Sequence, residues 1–540
     1  MYQIEVRVGE ITIMLTRLLS VTLVALSSTI AIAASADTNA TDSTTEGPVV
    51  KVSPTDPNIR YTGRWNFDDP EVPWVVWTGA SIKVKFQGTG IAIEIDPRGE
   101  TEQYRVVIDG VPEKDRRHFS PGKETYELAA GLSDGPHTLE LMKETLKSYR
   151  SLFHGFIVRG TGLLPLPPRP ALRIEFFGDS NMMGYSNYSE KDERVVGTYY
   201  AFPAMITRML GAEMHNQSRG GASIADEGDN HVKFFVYAQE YTQEPGNRGP
   251  HSVYQSDFAP HIIVIGAGGN DTSFGRSKTI VKKRYKSVIA ELRKVYGADP
   301  KIILFNSYGW GVEEPARYTH EVVEELGDPN VSACVFPWLT DSGHSSQWGH
   351  SGQAHILVDH IAGLNPDWAP INTPDIADGF GRDWDFANGS FEHQAPFGGY
   401  GWPYSEDGVE RLHDTAGAAD GDYYIRLEEG EQVQQITDAT GDLNPNGTTG
   451  TQTYYIRAKI RGVSEGAQAQ ITTEFQDKKW IKHGKPKATT FRLTTSWQAY
   501  TATATAPDDT WTLINTLRAS AGTVEFDDIR MSNTKFELAE

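Results

Sequence analysis

Three short runs rich in Ile, Val, Leu and Phe constrain this chain most: "LRIEFFGDS" (Leu172–Ser180), "HIIVIGAGGND" (His261–Asp271) and "KIILFNSYG" (Lys301–Gly309). Between and after them stand helix-like stretches. "TYYAFPAMITRMLG" ends at Gly211, "TIVKKRYKSVIAELRKVYG" is amphipathic and ends at Gly297, and "SGQAHILVDHIAGL" closes the region. A strand with so few polar alternates has to be covered on both faces, and strands alternating with helices supply that cover. The expectation is a three-layer α/β domain over 171–366 with a parallel sheet. Ligands of such sheets bind beyond the carboxyl ends of the strands.

The flanks have a different texture. From Tyr61 to Gly160 short alternating segments such as "SIKVKFQG", "YRVVIDG" and "FHGFIVRG" are separated by Gly, Pro and Asp, which reads as an N-terminal β-sandwich over 58–162. "LLPLPPRP" (Leu163–Pro170) is a stiff connector, and "NPDWAPINTPDIADG" a second one. Alternation returns in "DYYIRLEEG", "TYYIRAKIRG" and "TVEFDDIRMS", so a C-terminal β-sandwich is expected over 380–540. The polar stretch 37–57 reads as a linker.

At 540 residues the chain is too long for one core. Its net charge of −21 argues against nucleic acid or an anionic membrane as partner, because both need basic surface. Arg17 followed by "LLSVTLVALSSTIAIA" and Ala34-Ser35-Ala36 has the order of an export signal over 1–36, with Met14 as the alternative start. The single cysteine, Cys334, excludes an intrachain disulfide. A bacterial protein that is secreted or periplasmic is the expectation.

Polar residues gather at the strand ends of the middle domain. Ser180 in Gly-Asp-Ser is placed as a nucleophile. Asn270 in Gly-Gly-Asn-Asp offers a neutral amide donor where glycines permit close approach. In Asp341-Ser-Gly-His344 the spacing lets a carboxylate hold one imidazole nitrogen while the other takes the Ser180 proton. The paired glycines of "NQSRGGASI" present a backbone N–H to a developing oxyanion. Each piece alone is ordinary: Gly-Asp-Ser is a common turn, Asn-Asp a common helix cap, and Asp-x-x-His a common surface loop. Together they supply nucleophile, base, orienter and oxyanion donors.

On those motifs, Leu172 to Leu364 resembles the GDSL or SGNH hydrolases. The resemblance implies an oxyanion hole of the Ser180 amide, the Gly221 amide (Gly220 is the less favoured glycine) and the Asn270 side chain. "HSSQWGH" (His344–His350) keeps the family spacing with Ser345 in place of the usual Pro. His350 is the rival base, but Gln347, not a carboxylate, stands three residues before it. "RYTGRWNFDDPEVPWVVWTGASIKVKFQGTGIAIEID" is similar to the N-terminal jelly roll of carbohydrate esterase family 2, which implies removal of acetyl groups from polysaccharides such as xylan or mannan, without metal or cofactor. The segment from Trp384 to Asn533 is similar to carbohydrate-binding modules of the family 4 and 9 type. That likeness implies a structural calcium ion at Glu392 and Asp528, the alternative being plain surface carboxylates. Trp310, Trp338 and Trp348 stand near the site loops as candidates to stack on sugar, or to be part of a core or rim. "FGGYGWPY" (Phe397–Tyr404) and Trp480 are either an aromatic platform or core.

Other signals carry less. "THEVVEEL" lacks the second His of a zinc helix and reads as a solvated helix face. "DLNPNG" begins like a calcium loop, but Thr453 stands where Glu is needed. The expected function is a secreted esterase that deacetylates a polysaccharide or oligosaccharide. The alternatives are a lipid or aryl esterase, and a glycan-binding protein without activity.

Overall fold

The computed structural model describes residues 48–145, 149–190, 193–225, 258–308, 315–337, 344–345, 347–372, 389–392, 409–438, 448–477 and 481–536, with isolated positions at 236, 238, 254, 386, 394–395, 398–399 and 402. The first part is a ten-stranded antiparallel network. It includes β1 (Val49–Val52), β2 (Ser81–Pro97), β3 (Gly135–Lys143) and β4 (Ser151–Leu164). Alternate residues of β2 from Ile82 to Phe86 and from Ile91 to Ile95 point into one apolar core with Phe153, Phe156 and Val158 of β4. The stretch expected as a linker is shorter than 37–57. Val49–Val52 pairs with Phe156–Arg159, since three valines in a run of four are enough to extend a sheet edge. Strand β4 likewise runs to Leu164, into what read as connector.

The middle part opens with β5 (Arg173–Gly178), followed by the short helix α1 (Ser180–Met183) and α2 (Phe202–Leu210). The stretch expected as one helix from Thr198 divides into a 3-10 turn over Thr198–Tyr200 and α2 from Phe202, with Ala201 extended between them and Pro203 in the first turn of α2. Then come β6 (Glu213–Ser218), β7 (Ile262–Gly266), α3 (Gly269–Ser273), α4 (Lys278–Tyr296), β8 (Lys301–Tyr308), α5 (Pro315–Leu326), β9 (Val331–Pro337) and α6 (Gln347–Leu364). The sheet order is β6-β5-β7-β8-β9 and every pairing is parallel. Ile262, Ile263, Val264 and Ile265 divide between two cores, one on the α2 and α6 side and one on the α4 and α5 side. On α4 the buried Val281, Tyr285, Val288, Ile289 and Leu292 form one stripe. The chain reverses direction across the sheet between β5 and β7, because β6 lies on one side of β5 and the later strands on the other. That is the switch point at which α/β sheets open a crevice at their carboxyl edge.

The C-terminal part is β-rich, with a five-stranded and a four-stranded antiparallel sheet sharing one core that includes Ile456, Ile471, Leu513 and Phe526. Trp402 lies in that core against Phe386 and Phe391, so at this position of "FGGYGWPY" the aromatic ring packs and does not form a surface platform. Trp480 lies outside the described residues.

Candidate active site

Register brings the site together before any side chain does. Gly178 of β5 is level with Ser218 of β6 and with Gly266 of β7, so three strands end at one rim. The residues that follow each end are Ser180, Gly221 and Asn270. Gly178 is glycine for a steric reason: a Cβ there would sit 2.2 Å from Met182 Sδ. The turn from strand to helix is therefore tight enough to set Ser180 at the first helical position, on the sheet edge. Asp179 caps α1, its Oδ1 accepting from the Asn181 amide at 2.9 Å.

Across the rim, Ser180 Oγ lies 2.9 Å from Nε2 of His344. The ring of Tyr185 meets the imidazole edge-on, with centroids 4.9 Å apart. Partial burial holds the His344 pKa below its ordinary value. The imidazole is then neutral near pH 7, the state that accepts a hydroxyl proton. The rival, His350, is elsewhere. It is fully buried in α6, its Nδ1 accepts from the Phe202 amide at 3.3 Å, and its ring stacks on Phe202. Burial, with His344 nearby, pushes its pKa down to about 3.

Two adjacent residues of α3 tie the loop after β6 to the rim. Asn270 Nδ2 donates to the Ala222 carbonyl at 2.8 Å and reaches Asp179 Oδ2 at 3.4 Å. Asp271 turns the other way and is fully buried. Its Oδ1 accepts from Ser223 Oγ and from the Ala225 amide, each at 2.7 Å, and its Oδ2 accepts from the Ile224 amide at 2.8 Å. The loop that carries Gly221 in a left-handed conformation (φ 71°) is thereby tied to the end of β7 from both sides. Sequence reading assigned Asp271 no role. The available signal was a carboxylate beside Asn270 and a run of small residues, Gly220 to Ser223, with donors to offer. Burial, which outweighs the bonds it accepts, raises the Asp271 pKa, and burial with Asp271 nearby pushes Asp179 up to about 7.

Not every expected residue joins this picture. Asp341, Trp310 and Trp338 lie outside the described residues, and of Trp348 only the backbone, on the first turn of α6, is described. Glu392 Oε1 accepts from the amides of Asp422 and Tyr423 at 2.9 and 2.8 Å. Asp528 is paired with Arg457 at 3.4 Å and with Arg530 at 3.0 Å. Two arginines on one carboxylate do not suit a shared calcium ion, and among the described residues no three His, Cys, Asp or Glu side chains cluster as a metal site. A cavity of about 720 Å³ lies at the opposite end of the sheet, where Pro170, Gly211 and Glu213 meet Lys83 and Val111, and neither Ser180 nor His344 lines it.

Residues 61–167 match the family profile "Carbohydrate esterase 2 N-terminal", and residues 174–387 match "GDSL-like Lipase/Acylhydrolase". The chain is 31% identical over 326 residues to "Cellulase/esterase CelE" of Acetivibrio thermocellus, covering 56% of this chain and 38% of that relative. It is 25% identical over 322 residues to "Acetylxylan esterase / glucomannan deacetylase" of Cellvibrio japonicus, covering 54% of this chain and 86% of that one. A solved family two carbohydrate esterase from Clostridium thermocellum in complex with cellohexaose superimposes with a TM-score of 0.51 at 26% identity, over 57% of this chain and 99% of that one. The family two carbohydrate esterase of Cellvibrio japonicus shares the fold, with a TM-score of 0.52 at 17% identity over 59% of this chain and 99% of that one. The two family matches together account for most of residues 61 to 387, and the chain spans 38% of the length of the first of these relatives.

Proposed function

We propose that the protein is an exported carbohydrate esterase that removes O-acetyl groups from a polysaccharide or oligosaccharide. The observation that carries this reading is the 2.9 Å contact of Ser180 Oγ with His344 Nε2 at the switch point of the sheet. His344 takes the Ser180 proton as Oγ attacks the ester carbonyl. The oxyanion develops against the amides of Ser180 and Gly221 and the side chain of Asn270, each such donor being worth about a hundred- to thousandfold in rate. His344 then gives the proton to the ester oxygen, which leaves as the sugar hydroxyl while the acetyl group stays on Ser180 Oγ. A water, deprotonated by the same imidazole, releases acetate and restores Ser180. Asp341 is proposed as the partner of the second imidazole nitrogen.

The layout that goes with this reading is a jelly roll, an SGNH domain and a C-terminal carbohydrate-binding module that keeps the enzyme on its substrate. The N-terminal Arg17 and apolar run make export the proposed route. The names of the relatives support a cell-wall glycan as substrate class. The test is acetate release from acetylated xylan, glucomannan and cello-oligosaccharides, with Ser180→Ala alongside, and a series of p-nitrophenyl esters of increasing acyl length. Release of acetate that vanishes in Ser180→Ala, with rates falling as the acyl chain grows, is the expected outcome. Faster hydrolysis of long acyl esters would replace this reading with a lipid esterase, and no hydrolysis at all with a glycan-binding protein.

A further inference from the structure

The two reacting residues are joined a second time, behind the site, by a side chain to which the mechanism above gives no part. Asn181, the residue after Ser180, donates from Nδ2 to Gln353 Oε1 at 3.1 Å. Gln353 in turn donates from Nε2 to Oγ of Ser345, the residue after His344, at 2.7 Å. In this arrangement each amide nitrogen donates and the amide oxygen of Gln353 accepts. Asn181 is 5% exposed, and Ser345 and Gln353 are both 0% exposed. Water does not compete for these bonds, and each is shielded from the solvent that weakens surface contacts.

We propose that Gln353 is a positioning residue that sets the distance between nucleophile and base. The proposal rests on the esterase reading of the same site and deepens it. The geometry asks for such a device. Ser180 belongs to α1, a helix of four residues, and His344 to the loop before α6. The two are 164 positions apart in sequence, so no local backbone link holds them in register. Gln353 stands on the second turn of α6, an 18-residue helix packed into the core beneath the sheet, and it is a rigid place from which to hold both. One side chain grips the neighbour of each reacting residue, so a shift of the loop relative to α1 has to break a buried hydrogen bond. Misplacement of reacting groups by about 1 Å can cost on the order of a hundredfold in rate.

The test uses the full chain with Gln353→Leu, Ser345→Ala and the double variant. Ser345→Ala removes a single oxygen and is the variant that retains the fold if Gln353→Leu does not. Two measurements are made. One is kcat and KM on p-nitrophenyl acetate. The other is the rate and endpoint of Ser180 labelling by a fluorophosphonate. The expected result is a fall in kcat of about tenfold to a hundredfold with KM within about twofold, a labelling rate that falls in parallel, and a labelling endpoint that stays stoichiometric. The double variant should be no slower than the slower single variant, because both cut one chain of bonds. A merely structural role would lower the endpoint and leave the labelling rate of the folded fraction unchanged, and that outcome overturns the proposal. Losses that multiply in the double variant, or folded variants within about threefold of the parent, overturn it too. If the parent chain neither hydrolyses acetyl esters nor labels at Ser180, it is the esterase reading that fails.

Discussion

Asp271→Asn tests whether the oxyanion loop is held from α3. The carboxylate accepts three bonds, two on Oδ1 and one on Oδ2. Asparagine keeps the oxygen that faces Ser223 and Ala225 but sets an NH2 group against the Ile224 N–H, where donor meets donor. One buried bond is lost and one amide is left without an acceptor, a penalty of about 1–3 kcal/mol. Not all of that reaches the reaction. The ceiling is the loss of one oxyanion donor, about a hundred- to thousandfold. If about 2 kcal/mol is expressed as looseness of Gly221, the rate falls roughly thirtyfold. The expected result is a roughly thirtyfold lower kcat on p-nitrophenyl acetate with KM nearly unchanged, since ground-state binding does not use the oxyanion donors. Asp271→Ala, which removes all three acceptors, should approach the ceiling. Thermal unfolding measured beside the kinetics separates the two effects. An Asp271→Asn protein that melts earlier yet turns over within about threefold of the parent would refute the reasoning, because the carboxylate would then support the fold without aiming the donor.

Three further outcomes follow from the same geometry. His344→Ala should abolish hydrolysis. By contrast, His350→Gln, which breaks only a bond to the Phe202 amide and a stacking contact, should lose stability by about 1–3 kcal/mol while the folded enzyme keeps its rate; a dead, folded His350→Gln refutes the assignment. Burial disfavours the His344 imidazolium, so the neutral base persists to lower pH: the acid limb of kcat/KM should have its midpoint below 6.5, with activity lost as pH falls through it, and a midpoint above 6.5 contradicts this. Arg64→Met leaves Glu175 as a lone buried charge and should cost about 3–5 kcal/mol in thermal or urea unfolding, and Arg64→Met with Glu175→Leu should recover most of it; equal loss in both variants refutes the pairing.

What the sequence disclosed about the site and what it hid have one physical cause. Strands β5, β7 and β8 announce themselves because central parallel strands are buried on both faces and must be apolar. Strand β6, "EMHNQS", gave no such signal, yet all six of its residues are buried. Two of its polar side chains meet partners that lie far away in sequence: Glu213 pairs with Arg169, and His215 stacks on Phe258. Ser180, His344 and Asn270 were legible because their chemistry is local in short motifs beside glycines. Asp271 and Gln353 were not, because what defines them is a contact across more than forty positions, Asp271 to Ser223 and Gln353 to Asn181. A carboxylate next to a helix start reads as a cap, and a glutamine inside a helix reads as surface, until the fold shows what each one faces.

The N-terminal sandwich is built into the domain that holds the site. Arg64, fully buried, donates to Glu175 on β5 at 3.0 Å and to the carbonyls of Val236 and Ala238. Glu144, paired with Arg105, accepts from the Tyr199 amide, and Thr78 meets Thr198 at 2.7 Å. Apolar residues of the sandwich complete both faces of the parallel sheet: Val107 and Met142 lie in one core, and Val76 and Trp77 in the other. A detachable binding module would meet its neighbour through a small, polar and wet surface. Here the contact buries ion-paired side chains and is continuous with the apolar cores on both faces of the sheet, and Glu175 stands on the same strand that delivers the nucleophile to the rim. Removing the sandwich would therefore uncover apolar surface on both faces of the sheet and strand at least one charge inside it, so its first effect would be on the placement of Ser180 and only then on any hold the sandwich has on substrate.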